Sequence, residues 1–410
     1  MATLYPFRAL RPAPADAPAV AAVPYDVVSA DEARELAEGN PLSFLRVSRA
    51  ELELPPGTDP YADAVYERAA DNFEALKKRA LVLEQEPCVY FYRLKMGAHE
   101  QTGLAACYSL DEYDRDIIKK HERTRRDKED DRTRHMLALG AQTGPVFLTY
   151  RASVEIDGVA GRVRSTPPLY DFDAADGVRH TLWRVAGAER DALIVAFGRV
   201  PALYIADGHH RAASAARARS DIRDRAITRA SLGDEADYTT FLAVAFPHDQ
   251  VQILPYNRIV KDLGGLSPEA FLAAVRERFE VSAGRALPAS RGDVSMYLQR
   301  AWHTIRPRVA VDAADAIGSL DVSVLQDRLL EPVLKIADVR TDKRIDFVGG
   351  ARGTAELERL VDSGKAAVAF SLYPVSVAGL MQVSDAGGIM PPKSTWFEPK
   401  LRDGLLIHVI

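Results

Sequence analysis

Residues Val200–Ser220 read VPALYIADGHHRAASAARARS, and this stretch decides the fold. Leu203 to Ala206 are apolar and β-prone, so they predict a buried strand. Asp207-Gly208-His209-His210-Arg211 makes a tight turn, and Arg211 to Ala218 continue as a helix of small residues. A strand that feeds a helix through one glycine points to a mixed α/β chain. It also aims backbone N–H groups and the positive end of a helix at the turn, which suits an anion such as phosphate. Gly208 allows close backbone approach or a positive φ. His209, His210 and Arg211 add donors, and Asp207 can take a proton or hold a metal ion. In the plainer alternative Asp207 only caps the helix and the histidines are solvated. Four functional side chains around one glycine weigh against that.

Working outward, Ser29 or Asp31 is expected to cap a short helix over DEARELAEG. VPYDVVS before it reads as a short strand ending at Tyr25-Asp26, where Asp26 is either an acid/base group or another cap. Tyr61 to Leu83 predicts an amphipathic helix, with Ala62, Val65, Ala69, Phe73, Leu76 and Leu81 at helical spacing. CVYFYRLKM, LAACYSL, GPVFLTY and FLAVAFP read as strands. After Gly264 a capped helix, SPEAFLAAVRERF, opens a new run of strands and helices. The expected division is an N-terminal α/β region, 1–263, and a C-terminal α/β region, 264–410.

Lys119–Arg134, KKHERTRRDKEDDRTR, has no large apolar residue. If it is helical, His121, Thr124, Arg125, Lys128, Arg132 and His135 share one arc, a face of cations, imidazoles and a hydroxyl suited to phosphate. Glu122 with Arg126 and Arg126 with Asp130 then form supporting i,i+4 pairs. Spacing alone favours a solvated, salt-bridged helix. Near the end, Met390-Pro391-Pro392-Lys393-Ser394-Thr395 presents a lysine and two hydroxyls from a stiff loop, without the glycines of a phosphate loop.

The 410 residues carry a net charge of −5, which argues against bulk nucleic-acid binding. Two cysteines cannot build a disulfide scaffold, and with no signal peptide in view a cytoplasmic setting is expected. The longest nearly apolar run, Ala366 to Met381, is too short to span a membrane. GxGxxG, HExxH and paired CxxC motifs are absent, so neither NAD nor zinc is expected.

VPYDVVS with NPLSFLRV, KKHERTRRDKEDDR with GPVFLTY, LYIADGHHRAASA, ILPYNRIV and MPPKSTWFEPK together resemble a bacterial and archaeal family, domain of unknown function 1015, along nearly the whole chain. The DGHHR turn also resembles the signature turn of the ParB/sulfiredoxin superfamily, in the version of its free serine kinases. That resemblance implies a ParB/sulfiredoxin-like core with an added α/β C-terminal region, and a nucleotide, ATP or ADP, at the turn. It implies Mg²⁺ at Asp207, with Asp207, His209, His210, His121 and Glu122 nearest the chemistry. Gly208, Arg211, Thr124, Arg125, Lys128, Arg132, Lys393, Ser394, Thr395, Tyr25 and Asp26 would bind phosphate or substrate. Members of the family are often encoded beside serine-biosynthesis enzymes, which implies a serine kinase, or in reverse a phosphoserine phosphatase. A nucleotide-binding regulatory module of ParB type is the expectation from another class. The catalytic base is left between Glu32 and Glu122. The partner is a small molecule, and a homodimer is allowed. Lys393 and Ser394 are expected to line the same cleft as Asp207 and His210.

Overall fold

The computed structural model describes residues 1–228, 237–312 and 314–410. They pack as two compact units. One comprises Met1–Lys120, Thr124–Val251 and Pro399–Ile410, the other His121–Arg123 and Gln252–Glu398.

The first unit is built on a mixed sheet whose strands are β1 (Leu4–Tyr5), β2 (Val89–Met96), β3 (His99–Ser109), β4 (Ile118–Lys119), β5 (Val146–Tyr150), β6 (Tyr170–Asp173), β7 (Arg179–Val185), β8 (Leu203–Asp207) and β9 (Thr240–Pro247). Their order is β4-β8-β5-β9-β3-β2-β7-β6, with β1 beside β3. β4 pairs parallel with β8, and β5 with β9, while the other pairs are antiparallel. β5 and β9 are buried at every residue, which is why both read as unbroken apolar runs rather than alternating ones. The longer helices of this unit among the described residues are α1 (Asp63–Ala80), α2 (Arg126–Leu139), α3 (Val154–Arg164), α4 (Gly187–Phe197) and α5 (His209–Thr228). Leu148, Ile205, Ala212, Ala243 and Phe197 belong to the main core of this unit, and Phe44, Phe73 and Leu76 to a second cluster under α1.

α1 buries Val65, Ala69, Phe73 and Leu76, as their spacing predicts. It stops at Ala80, and Leu81 opens a short strand, Leu81–Leu83, that pairs with Leu10–Pro12. Ser29 is the cap of Ala30–Ala37 and forms a capping box with Glu32. VPYDVVS is a turn and not a strand.

The charged stretch departs from its helical reading. Ile118–Lys119 is strand β4, held along β8, and the helix begins only at Arg126. His121, Thr124 and Arg125 therefore precede the helix and share no arc with Lys128, Arg132 and His135. The paired charges differ too: Arg125 meets Asp127, Thr124 donates to Glu129, and Asp130 pairs with Arg217 on α5. Neighbouring chain, not local propensity, sets where this helix starts.

The second unit has a six-stranded sheet of β10 (Tyr256–Val260), β11 (Phe279–Ala283), β12 (Val294–Leu298), β13 (Ala301–Pro307), β14 (Ile345–Gly349) and β15 (Val368–Leu372), in the order β11-β13-β12-β15-β10-β14. Ser267 caps the helix Pro268–Arg278 that precedes β11, as its sequence predicts. No helix among the described residues is long and apolar enough to cross a membrane.

Candidate functional site

β8 delivers Asp207 to the edge of the core, and Gly208 turns the chain at φ +90° into α5. A side chain on Gly208 would meet the Val146 Cα at 3.4 Å, so space and conformation both ask for glycine there. The opening N–H groups of α5 have no acceptor within the helix. One Asp207 oxygen accepts the Gly208 N–H at 2.9 Å, and the other accepts Lys400 Nζ at 2.9 Å. Burial alone would raise the Asp207 pKa, but the charges of Lys400 and Arg211 hold it well below the usual carboxylate range.

α2 and α5 run parallel. The Arg125 N–H donates to His210 Nε2 at 3.0 Å, and four residues on, Ser214 Oγ donates to the Glu129 carbonyl at 3.2 Å. Ala212, Ala215 and Ala218 are buried and small, which explains the alanine-rich composition of α5. The parallel arrangement sets the N-terminal ends of two helices side by side, so their partial positive charges add at one place. Because His210 Nε2 accepts a hydrogen bond there, the ring is neutral at that nitrogen.

Arg211, buried behind the turn, donates to the Pro145 carbonyl at 2.7 Å and lies 3.5 Å from Asp26. Burial would lower its pKa, yet Asp26, Asp403 and Asp207 hold it above the ordinary value. Arg132 stacks on the Tyr25 ring at 4.1 Å and pairs with Asp131 at 2.9 Å, while Asp131 also accepts the Tyr66 hydroxyl at 2.8 Å. Burial pushes the Tyr25 hydroxyl up. His135 contacts the Val47 carbonyl at 3.0 Å, and burial together with Arg132 pushes it down to about 4, so it is a neutral core residue. A cavity of about 40 Å³ lies among Tyr25, Arg132, Gly144, Arg211 and Asp403, room enough for ordered water. Burial pushes Asp403 up to about 7, against the pull of Arg211 and helped by Asp26.

Asp207, Gly208, His209, His210, Arg211, Tyr25, Asp26, Thr124, Arg125, Lys128 and Arg132 all belong to the first unit. They are not one face: Arg125 turns to Asp127, and Lys128 reaches the Tyr61 hydroxyl at 2.9 Å. His121, Glu122, Lys393, Ser394 and Thr395 belong to the second unit. His121 is buried there, its carbonyl accepting Met390 N–H at 2.8 Å and its Nε2 lying 3.4 Å from the Thr395 hydroxyl. Lys393 adopts φ +58°, its carbonyl accepts Arg258 Nη2 at 2.9 Å, and its ammonium lies 5.5 Å from the Tyr256 ring. The Ser394 hydroxyl donates to the Pro391 carbonyl at 2.6 Å. Glu32 binds the Ser29 N–H at 2.8 Å as a helix cap.

Lys400 and Asp403 were not singled out by the sequence reading. Their signal is a charged cluster, KLRD, set directly before the apolar GLLIHVI. For metal, among the described residues no group of three His, Cys, Asp or Glu side chains is placed to hold an ion. Asp207 is a single carboxylate there, and its oxygens already accept the Gly208 N–H and Lys400 Nζ.

The first unit is thus a mixed α/β sheet carrying a strand–glycine–helix turn, the N-terminal ends of two parallel helices and an Asp207–Lys400 pair. The chain belongs to the family described as proteins of unknown function, DUF1015, whose model matches residues 4–323. It is similar, at low identity, to several solved structures. One is a conserved hypothetical protein from Pyrococcus furiosus, with 12% identity and TM-score 0.37, covering 74% of this chain and 94% of that one. A free serine kinase in complex with AMP shows 12% identity and TM-score 0.37, covering 73% of this chain and 91% of that one. SbnI with a C-terminal truncation, from Staphylococcus aureus, shows 10% identity and TM-score 0.39, covering 73% and 85%. No curated protein matches the chain.

Proposed function

We propose that this protein is a phosphotransferase that moves a phosphoryl group from a nucleotide to the hydroxyl of a small metabolite, with serine as the acceptor. The observation that carries the reading is the Arg125 N–H to His210 Nε2 contact of 3.0 Å, which joins the N-terminal ends of two parallel helices beside Asp207 and Lys400. Phosphoryl transfer is mostly positioning and neutralisation of spreading negative charge. Helix ends, Lys400 and Arg211 supply that neutralisation without moving far. Asp207, kept ionised, holds Lys400 in place. His209 and His210 stand at the opening turn of α5 as donors to phosphate oxygens. Mg²⁺ brought by the nucleotide would shield its phosphates, with Asp207 as protein ligand.

The choice of serine, and of a ParB/sulfiredoxin-type core, rests on the resemblance of the DGHHR turn. Glu32 and Glu122 remain the two candidates for the base that takes the hydroxyl proton, with His121 beside Glu122. Lys393, Ser394 and Thr395 are proposed as further phosphate ligands.

The purified chain should be incubated with ATP, ADP or pyrophosphate against serine, and separately with phosphoserine. Stoichiometric transfer to serine supports the reading. Release of inorganic phosphate from phosphoserine would turn it into a phosphatase, and nucleotide binding without turnover into a regulatory module.

A further inference from the structure

The second unit contains a cavity of about 350 Å³, within the range of small-molecule sites, roughly 300–1,000 Å³. Its wall is largely apolar: Ile317, Val322, Leu330, Val339, Ile389 and Met390. Its polar groups are few and uneven in charge. Arg123, Arg258 and Arg340 all reach it, against one acid, Asp338, which already pairs with Arg340 at 3.0 Å.

Arg258 is 1% exposed. Its guanidinium donates to the carbonyls of Tyr256, Pro392 and Lys393, and among the described ion pairs it has no carboxylate. A buried cation balanced by carbonyl dipoles and by the Phe347 ring 5.5 Å away, with no opposite charge, leaves much of its desolvation cost uncompensated. Burial pulls its pKa down to about 9, as that imbalance requires. An incoming anion would relieve it.

Gln326 supplies an independent pointer. It opens a π-helical turn, Gln326–Leu330, in which the Glu331 N–H bonds back to the Gln326 carbonyl at 3.0 Å. Such wide turns recur where a helix is bent to serve a site. The Gln326 side-chain NH₂ donates to the Ile336 and Ala337 carbonyls at 2.8 and 3.4 Å, which fixes the amide orientation. Its Oε1 is then a buried acceptor with no hydrogen-bond partner among the described residues. Leaving such an atom unmet costs about 1–3 kcal/mol, so a donor on a ligand would be rewarded there.

We propose that this cavity binds an apolar α-amino acid, its carboxylate facing Arg258 and Arg123, its amino N–H donating to Gln326 Oε1, and its side chain against Ile317, Leu330 and Met390. The three features of the wall match the three parts of such a molecule. The site lies within the second unit and does not rest on the phosphotransfer reading.

The test uses the full chain and calorimetric titration with leucine, methionine and phenylalanine. Two analogues of leucine each lack one part, the keto acid having no amino group and leucinamide no carboxylate. Saturable binding of at least one amino acid, weakened in both analogues, is expected. Gln326→Leu and Arg123→Ala should each weaken it by about tenfold or more. Gln326→Leu also removes the amide's bonds to the Ile336 and Ala337 carbonyls, so the melting temperature of each empty variant is measured beside its binding. Arg123→Ala leaves those bonds in place, and binding lost there at an unchanged melting temperature cannot be put down to misfolding. Absence of saturable binding at millimolar concentrations, or binding indifferent to both substitutions, overturns the proposal.

Discussion

Lys400 Nζ lies 2.9 Å from Asp207 Oδ2, although 193 residues separate the two in the chain. The lysine is 10% exposed at its side chain, so the contact is a shielded one and not a surface pairing. It ties the C-terminal segment to the glycine turn that begins α5.

Asp207→Asn should lower kcat by roughly 10²–10³, the scale of losing one preorganised electrostatic group. It should also lower stability, by about 3–5 kcal/mol, because it removes the charge that buried Lys400 is held against. Asp207→Asn combined with Lys400→Met should recover most of the melting temperature while turnover stays lost. Recovery of both in the double variant would return the pair to a purely structural role.

Gly208→Ala should cost about 1–3 kcal/mol, the strain of a side chain held at positive φ. Because the added methyl also presses on Val146 Cα, the opening N–H groups of α5 should shift and nucleotide affinity should fall. Thermal melts and nucleotide titration read the two effects separately. Unchanged affinity despite the strain would show that the turn does not bind phosphate.

Asp403 has a distinct pH signature. Its folded value, about 7, lies above the ordinary carboxylate value of 3.8, so the folded protein holds a proton that the unfolded chain releases. Stability from this group is fully present below pH 4 and is lost as pH rises toward 7. Asp403→Asn should therefore melt higher than the parent at pH 8, with the gap closing toward pH 4. A gap that is constant with pH would mean that Asp403 is ionised throughout. Asp207 behaves oppositely: its contribution is present above its ordinary value near pH 4 and is lost under stronger acid.

In the second unit, Glu122→Ala should reduce activity with little change in melting temperature, since Glu122 is only half buried. His121→Ala should lower the melting temperature as well, because His121 is buried beside Thr395. Lys393→Ala should raise KM for the phosphorylated ligand and leave the melting temperature nearly unchanged. Normal kinetics in all three variants would remove this segment from the proposed chemistry.

What the sequence by itself determined is local. The apolar run to Ala206, one glycine and an alanine-rich helix specify a strand, a turn and a close-packing helix, and they do so through side-chain size and φ alone. Ser29 with Glu32, and the spacing along α1, belong to the same class, since capping and periodicity act within a few residues. The tertiary structure decided what depends on distant chain. The first residue of α2 is Arg126 rather than Lys119 because β8 takes Ile118–Lys119 as a strand and Met390 binds the His121 carbonyl. Local charge spacing carries no trace of either partner. Lys400 and Asp403 join Asp207 and Arg211 for the same reason. Burial, not residue type, sets how strongly those charges interact, and burial is a property of the packed core.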